Sequence, residues 1–394
     1  MNLTSELPYW TVRNGLLNVY PAADRDIRCD ALVIGGGISG ALLARRLTSK
    51  GVDCVVIDRR DIGFGSTSAS TALLQYEIDT PLRELRDKVG SKAAERAYRA
   101  GLEAIERLAK MAGRDCDFAM RPSLQVAARR SHLAGLRQEY ELRRKLGFPV
   151  AWLTRQDLRE SGIHADGALR SRIAAEVDPY RLTHRLLRLA VAKGLRVLDR
   201  TTAIGYSHTR KHVSVTTDRN CVIRCRTVFF ATGYETQEIL PEKIVTLRST
   251  YAFISEPVPE SWKDRSPIWG TGDPYVYMRT SAHNRILVGG EDDHVLDPAR
   301  RDRQIEDKTQ RLVRRFNALF PHIKIEPAFA WAGMFGSTKD GLAWIGPHEA
   351  FPRAYFALGF GGNGITFAEI ASRILTDLFL GRKNPDAAVF SFDR

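Results

Sequence analysis

Cys29-Asp30-Ala31-Leu32-Val33-Ile34-Gly35-Gly36-Gly37-Ile38-Ser39-Gly40 is the stretch on which the fold turns. Its first half is a short apolar run ended by glycine, the pattern of a buried strand. Ile38, Leu42, Leu43 and Leu47 follow at helical spacing up to Lys50, with Gly51 suited to close the helix. Between strand and helix lies G-x-G-x-x-G. Gly35 serves the tight turn, Gly37 the close approach of backbone to a pyrophosphate, and Gly40 the packing of helix on strand. The phosphate rests on N–H groups at the positive end of the helix, where Ile38 and Ser39 stand. A second strand, Cys54 to Ile57, ends in Asp58, about eighteen residues after Gly40 and close to the spacing of a ribose-binding acid. The other reading of Asp58 is a surface acid at a strand end. The motif alone does not separate NAD from FAD. Asp58 disfavours a 2′-phosphate, although Arg59 and Arg60 follow it directly.

Four later segments extend the pattern. Arg59 to Thr71 is a loop of small and hydroxyl-bearing residues that can carry several donors past a phosphate or ring edge. Asp178-Pro179 opens a helix with an N-cap acid and a proline at the first turn, leading to a strand at Gly194 to Leu198. Val228 to Gly233 is an apolar strand ending in Ala231-Thr232-Gly233. Tyr355 to Leu358 is another strand, and Gly359-Phe360-Gly361-Gly362-Asn363-Gly364 after it is a second glycine-rich turn before the amphipathic helix Ile365 to Leu380. A second helix N-terminus bare of side chains is thereby aimed at a ligand.

In this order the segments, from about Asp30 to Phe392, resemble the D-amino-acid oxidase superfamily. The likeness is to its amine- and amino-acid-oxidising branch, with sarcosine oxidase, glycine oxidase and gamma-glutamylputrescine oxidase. The resemblance implies an α/β fold: a Rossmann-like, glutathione-reductase-like FAD-binding domain with an interleaved α+β substrate domain built on an antiparallel sheet. It assigns 28–80, 170–245 and 330–394 to the first, 81–169 and 246–329 to the second, and 1–27 to an N-terminal extension. It implies FAD as cofactor and Arg59, Ser66, Thr67, Ser70 and Thr71 as its polar contacts. Backbone N–H groups of Gly362, Asn363, Gly364, Ile365 and Thr366 stand near the N1–C2=O edge of the flavin. Family members with covalent flavin use Cys or His near Gly63 to Leu74 or Trp331 to Pro347, where this chain has neither in the positions read, so the FAD is expected to be non-covalent.

Substrate residues are read from the sheet that the resemblance places over the flavin. Tyr275, Tyr277 and Arg279 share one strand face. Two rings beside an arginine either wall a pocket that binds a carboxylate, or are core tyrosines beside an edge arginine. Lys339, in a segment that resembles one near the flavin, is a candidate for assisting oxygen reduction; the alternative is a solvated loop lysine. Ser70 to Tyr76 departs from the family pattern of asparagine and small glycines, which turns Gln75 and Tyr76 toward flavin or substrate.

The bulk numbers fit this reading. The chain has 394 residues, 44% hydrophobic and 27% charged, with a net charge of +13. The excess is arginine without a run of five or six like charges, so a scattered solvated surface is expected rather than a nucleic-acid site. Five cysteines lack metal spacing, so no metal is expected. No signal peptide or membrane span is read, and the expected location is the cytoplasm. The function that follows is two-electron oxidation of a C–N bond in a small amine or amino acid, with hydride delivered to flavin N5 and oxygen as acceptor. The alternatives are a dehydrogenase that feeds a quinone or partner protein, and a flavoprotein that binds or acts on RNA or a protein partner.

Overall fold

The apolar runs flanking the glycine turn become neighbouring parallel strands. In the computed structural model, which describes residues 1–259, 261–272 and 274–394, Ala31–Ile34 pairs with Cys54–Ile57 on one side and Thr227–Phe230 on the other. Arg196–Leu198 and Ala354–Leu358 extend this parallel sheet at its two ends, and Trp344–Pro347 adds an antiparallel edge. The strands are hydrophobic throughout because both faces are covered. Ala31, Val33, Cys54 and Val56 face a core shared with helices Ile38–Ser49, Ser91–Met111, Pro179–Val191 and Gly364–Phe379. Leu32, Ile34, Val55 and Ile57 face a second core that includes Val213, Val215 and Ile223 of a four-stranded sheet.

The third layer is a nine-stranded sheet. It is antiparallel except where Ile268–Gly270 runs parallel to Ala119–Val126. Its outer face is covered by the helix Ile305–Leu319 through Leu312 and Phe316. The sheet also takes Leu73–Leu74, Gly167–Glu176 and Pro327–Ser337. Strands from within the expected cofactor segments 28–80, 170–245 and 330–394 therefore cross into the other half, which tightens the interleaving. Asp178 caps its helix as expected, its carboxylate accepting the N–H groups of Tyr180 and Arg181 at 3.0 and 2.9 Å.

The N-terminal extension is part of the packing. Trp10 is only 1% exposed and donates its indole N–H to the carbonyl of Ser70 at 2.7 Å. Thr4 bridges to Gly333, and Ser5 N–H donates to the carbonyl of Ala332 at 2.9 Å. These contacts clamp the hydroxyl-rich loop between the first and last thirds of the chain.

Candidate active site

A cleft of about 970 Å³ runs between the parallel sheet and the nine-stranded sheet. Gly35, Gly37, Ile38 and Ser39 line one stretch of it, and Gly361, Gly362, Gly364 and Ile365 line another. The glycines are needed for close approach. A Cβ on Gly35, whose φ is +112°, would stand 2.4 Å from the carbonyl oxygen of Ala231, and one on Gly40 only 1.8 Å from that of Gly35. Gly40 thus acts behind the cleft, in the helix–strand contact. Neither helix start is capped by a side chain of its own N-cap residue.

Asp58 holds the first turn from below. Its two carboxylate oxygens accept the N–H groups of Gly36 at 2.6 Å and Arg60 at 2.8 Å, and each keeps a second lone pair free. Burial raises its pKa, and the two backbone donors oppose that shift. Thr67 Oγ1 accepts the Ile38 N–H at 3.0 Å, bringing the hydroxyl loop onto the helix start. Arg59 and Arg60 stand at the cleft wall, both ion-paired to Glu235. Ala231, Thr232 and Gly233 line the cleft beside them, and Thr201, Ile204 and Tyr206 continue it along the four-stranded sheet.

Ser66, Ser70, Thr71 and Gln75 also line the cleft. Ser66 Oγ and Gln75 Nε2 are buried with no hydrogen-bond partner, as donors awaiting a ligand are. Asn363 and Thr366 do not reach the cavity with their side chains. Asn363 Nδ2 donates to the carbonyls of Gln75 at 3.3 Å and Glu77 at 2.7 Å, and Thr366 Oγ1 donates to that of Gln75 at 3.0 Å. Both residues pin the Gln75–Glu77 backbone against the helix start. Tyr76 turns away into the core, its ring stacked on Phe148 at 5.8 Å.

Two expected substrate residues are displaced. Tyr277 lines the cleft with Tyr275, the ring centroids 5.5 Å apart. Arg279 does not: it is 2% exposed, and its guanidinium donates to the carbonyls of Thr71 at 2.6 Å, Val177 at 3.0 Å and Thr280 at 3.1 Å. The long side chain is used on backbone carbonyls, with the Glu176 carboxylate 3.9 Å from its Nη1, and is not presented to the cleft. Lys339 lies exposed on a bend after Pro327–Ser337 and does not line the cleft. Nothing in that position offers its ammonium to the cavity.

Glu77, Asp79 and Tyr234, absent from the residues singled out in the sequence, do line the cleft. Burial pushes the Glu77 carboxyl up to about 7, against the pull of Arg143, whose Nη1 is 3.4 Å away. Burial also raises Asp79, partly opposed by the Gly362 N–H that its Oδ2 accepts at 2.7 Å. A signal for both lay in the run Gln75-Tyr76-Glu77-Ile78-Asp79, where acids follow directly on the loop that departs from the family pattern.

The comparisons with known proteins agree with this geometry. Residues 30–378 match the family described as DAO, FAD dependent oxidoreductase, and the chain belongs to that family. It is 23% identical to a putative Rieske 2Fe-2S iron-sulfur protein of Bacillus subtilis, over 98% of this chain and 75% of that one. It is 24% identical to gamma-glutamylputrescine oxidoreductase of Escherichia coli, over 92% and 86%. It is 23% identical to glycine oxidase of Geobacillus kaustophilus, over 93% and 97%. A crystal structure of glycine oxidase from Geobacillus kaustophilus superposes with a TM-score of 0.78 at 21% identity, covering 93% of this chain and 99% of that one.

The protein is an FAD-dependent oxidoreductase. The residues present fit the cofactor. Two bare helix starts open on one cleft, Asp58 keeps free lone pairs, and Ser66 and Gln75 keep unmade hydrogen bonds. Among the described residues no group of acids, histidines or cysteines could hold a metal ion, and no helix is long and apolar enough to cross a membrane.

Proposed function

We propose that this enzyme oxidises a carbon–nitrogen bond of a small amine or amino acid, with oxygen as acceptor. The observation that carries the reading is the continuity of the cleft. Beyond the Gly364 helix start it extends into a chamber lined by Gln75, Tyr275, Tyr277 and Trp269, so cofactor and small molecule share one cavity. FAD, when bound, supplies hydride acceptance at flavin N5, which turns the C–N bond into an imine. The chain's own groups orient the substrate, and the partly buried walls exclude water from it. The names of the amine- and glycine-oxidising relatives support the same class of substrate.

In this reading the FAD is bound non-covalently. Among the described residues the cleft lining has no cysteine, and its one histidine, His132, is hydrogen-bonded to Thr271 Oγ1 at 2.8 Å. The unpaired state of all five cysteines supports a reducing compartment such as the cytoplasm. The test is the visible spectrum of the purified protein, followed by anaerobic addition of a broad panel of amines and amino acids. A flavin spectrum that none of them bleaches sinks the proposal.

A second reading keeps the substrate and changes the acceptor to a quinone or a partner protein. It draws support from the iron–sulfur protein among the relatives. Stopped-flow mixing of the reduced enzyme with air separates the two: slow reoxidation beside fast dye reduction favours the dehydrogenase.

A further inference from the structure

The substrate arm of the cleft is acidic, in a chain whose net charge is +13. Asp79 and Tyr275 converge on the glycine turn: a Cβ on Gly362 would stand 2.8 Å from Asp79 Oδ1 and 3.1 Å from Tyr275 Oη. The Asp79 carboxylate is open to the cleft and, among the described residues, belongs to no ion pair. The titratable groups near it are the neutral phenols of Tyr234, Tyr275 and Tyr277 and the carboxyl of Asp292; none is a cation. Glu77, 4% exposed, also lines the arm, with Arg143 Nη1 3.4 Å from its carboxyl.

The neighbouring arginines are occupied or outside. Arg143 is buried between Glu139 at 2.7 Å and Glu77 at 3.4 Å, Arg279 is held by backbone carbonyls, and Arg83 pairs with Glu84 at 2.6 Å. Arg248 lies near Asp292 and does not line the cleft. A substrate carboxylate in this arm would face the Asp79 carboxylate without a cation of its own, a like-charge contact. A cationic nitrogen would find the reverse: a carboxylate and two phenol rings.

We propose that the chamber takes an amine that enters as a cation and carries no carboxylate, with Asp79 as its anchor and Tyr275 and Tyr277 as its wall. This rests on the C–N oxidation proposed above and narrows its substrate class. A molecule with two nitrogens leaves one charged on Asp79 while the other reacts in its neutral form.

The experiment compares substrates that differ by one carboxylate, using the wild-type holoenzyme. The pairs are 1,4-diaminobutane with ornithine, and 2-phenylethylamine with phenylalanine, and the readout is anaerobic bleaching of the flavin band. The amine is expected to bleach at least about tenfold faster in a reacting pair, the worth of one charge-assisted contact. Equal rates, or a faster amino acid, overturn the narrowing while C–N oxidation stands. If no member of either pair, nor any compound of the broad panel, bleaches a flavin that dithionite reduces, C–N oxidation itself fails and the narrowing with it. Asp79→Asn keeps an oxygen for the Gly362 N–H. It is expected to raise the half-saturating concentration of 1,4-diaminobutane about tenfold or more and to erase the preference over ornithine. It should also flatten the rise of amine affinity with pH. A variant that keeps FAD and the wild-type preference overturns the role of Asp79, and Tyr275→Phe tests the wall independently if Asp79→Asn loses FAD.

Discussion

The amide of Asn363 donates to the carbonyl oxygen of Glu77 at 2.7 Å and so fastens the second glycine turn to the acidic arm of the cleft. One side chain thereby sets the position of both the helix start that lines the cleft and the backbone that carries Gln75 and Glu77. Asn363→Ala leaves two buried carbonyls without this donor, at about 1–3 kcal/mol. The expected result is a lower melting temperature together with weaker FAD retention, read by thermal unfolding with and without added FAD. A variant with an unchanged melting temperature and unchanged FAD affinity would argue against the pin.

At the first turn the glycines leave no room for a methyl group. Gly40→Ala places a Cβ 1.8 Å from the carbonyl oxygen of Gly35, so strand and helix must separate. The variant should purify with little or no flavin, whereas Gly51→Ala, with nothing within 4 Å, should cost only about 1 kcal/mol of backbone strain and keep its colour. The ratio of flavin absorbance to protein absorbance after dialysis decides between them.

Arg279 is structural. Arg279→Met strips donors from the carbonyls of Thr71, Val177 and Thr280, and the sum is expected near 3 kcal/mol. Urea unfolding should show that loss, while the preference between paired amines and amino acids stays where it was. A large change in preference with unchanged stability would restore Arg279 to the substrate site. Lys339→Met should leave the reoxidation rate in air unchanged, because that side chain stands outside the cleft.

Glu77 makes stability depend on pH. Its carboxyl is pushed up to about 7 from an ordinary value of 4.5, so the folded state holds a proton that the unfolded chain has released. Its stabilising contribution is fully present below pH 4.5 and is lost as pH rises through about 7, a span of about 3 kcal/mol. Asp292, also raised by burial to about 7, adds in the same direction. Urea midpoints for the apoprotein between pH 4.5 and 8 should fall with pH in the wild type and more gently in Glu77→Gln. Identical slopes would mean that Glu77 ionises normally.

The cofactor half was legible because its signals are short-range and steric. Glycine at 35, 37 and 40, an apolar strand on either side and an acid at 58 constrain the backbone within thirty residues of one another. The substrate arm depends on how side chains travel after leaving the backbone. Strand periodicity put Arg279 on the same face as Tyr277, but a period of two says nothing about where a long guanidinium ends. Glu77 and Asp79 follow the departing loop directly, but nothing local shows that Glu77 is closed over by Arg143 or that Asp79 opens to the cleft beside Tyr275, about two hundred residues away. The role of the first fourteen residues was hidden for the same reason, since Trp10 and Thr4 find their partners at Ser70 and Gly333.

That last contact bears on the order of events during synthesis. The bridge from Thr4 to Gly333 joins segments more than three hundred residues apart, so the start of the chain must wait for nearly all of it to be made. The glycine turn at Gly35 emerges early, but the strand that closes its far side, Thr227–Phe230, and the helix whose start lines the other stretch of the cleft, Gly364–Phe379, emerge later. The cleft is complete only once Gly364–Phe379 has been made. Chains that stop short of Gly364 carry half a binding cleft and no means of retaining what it binds.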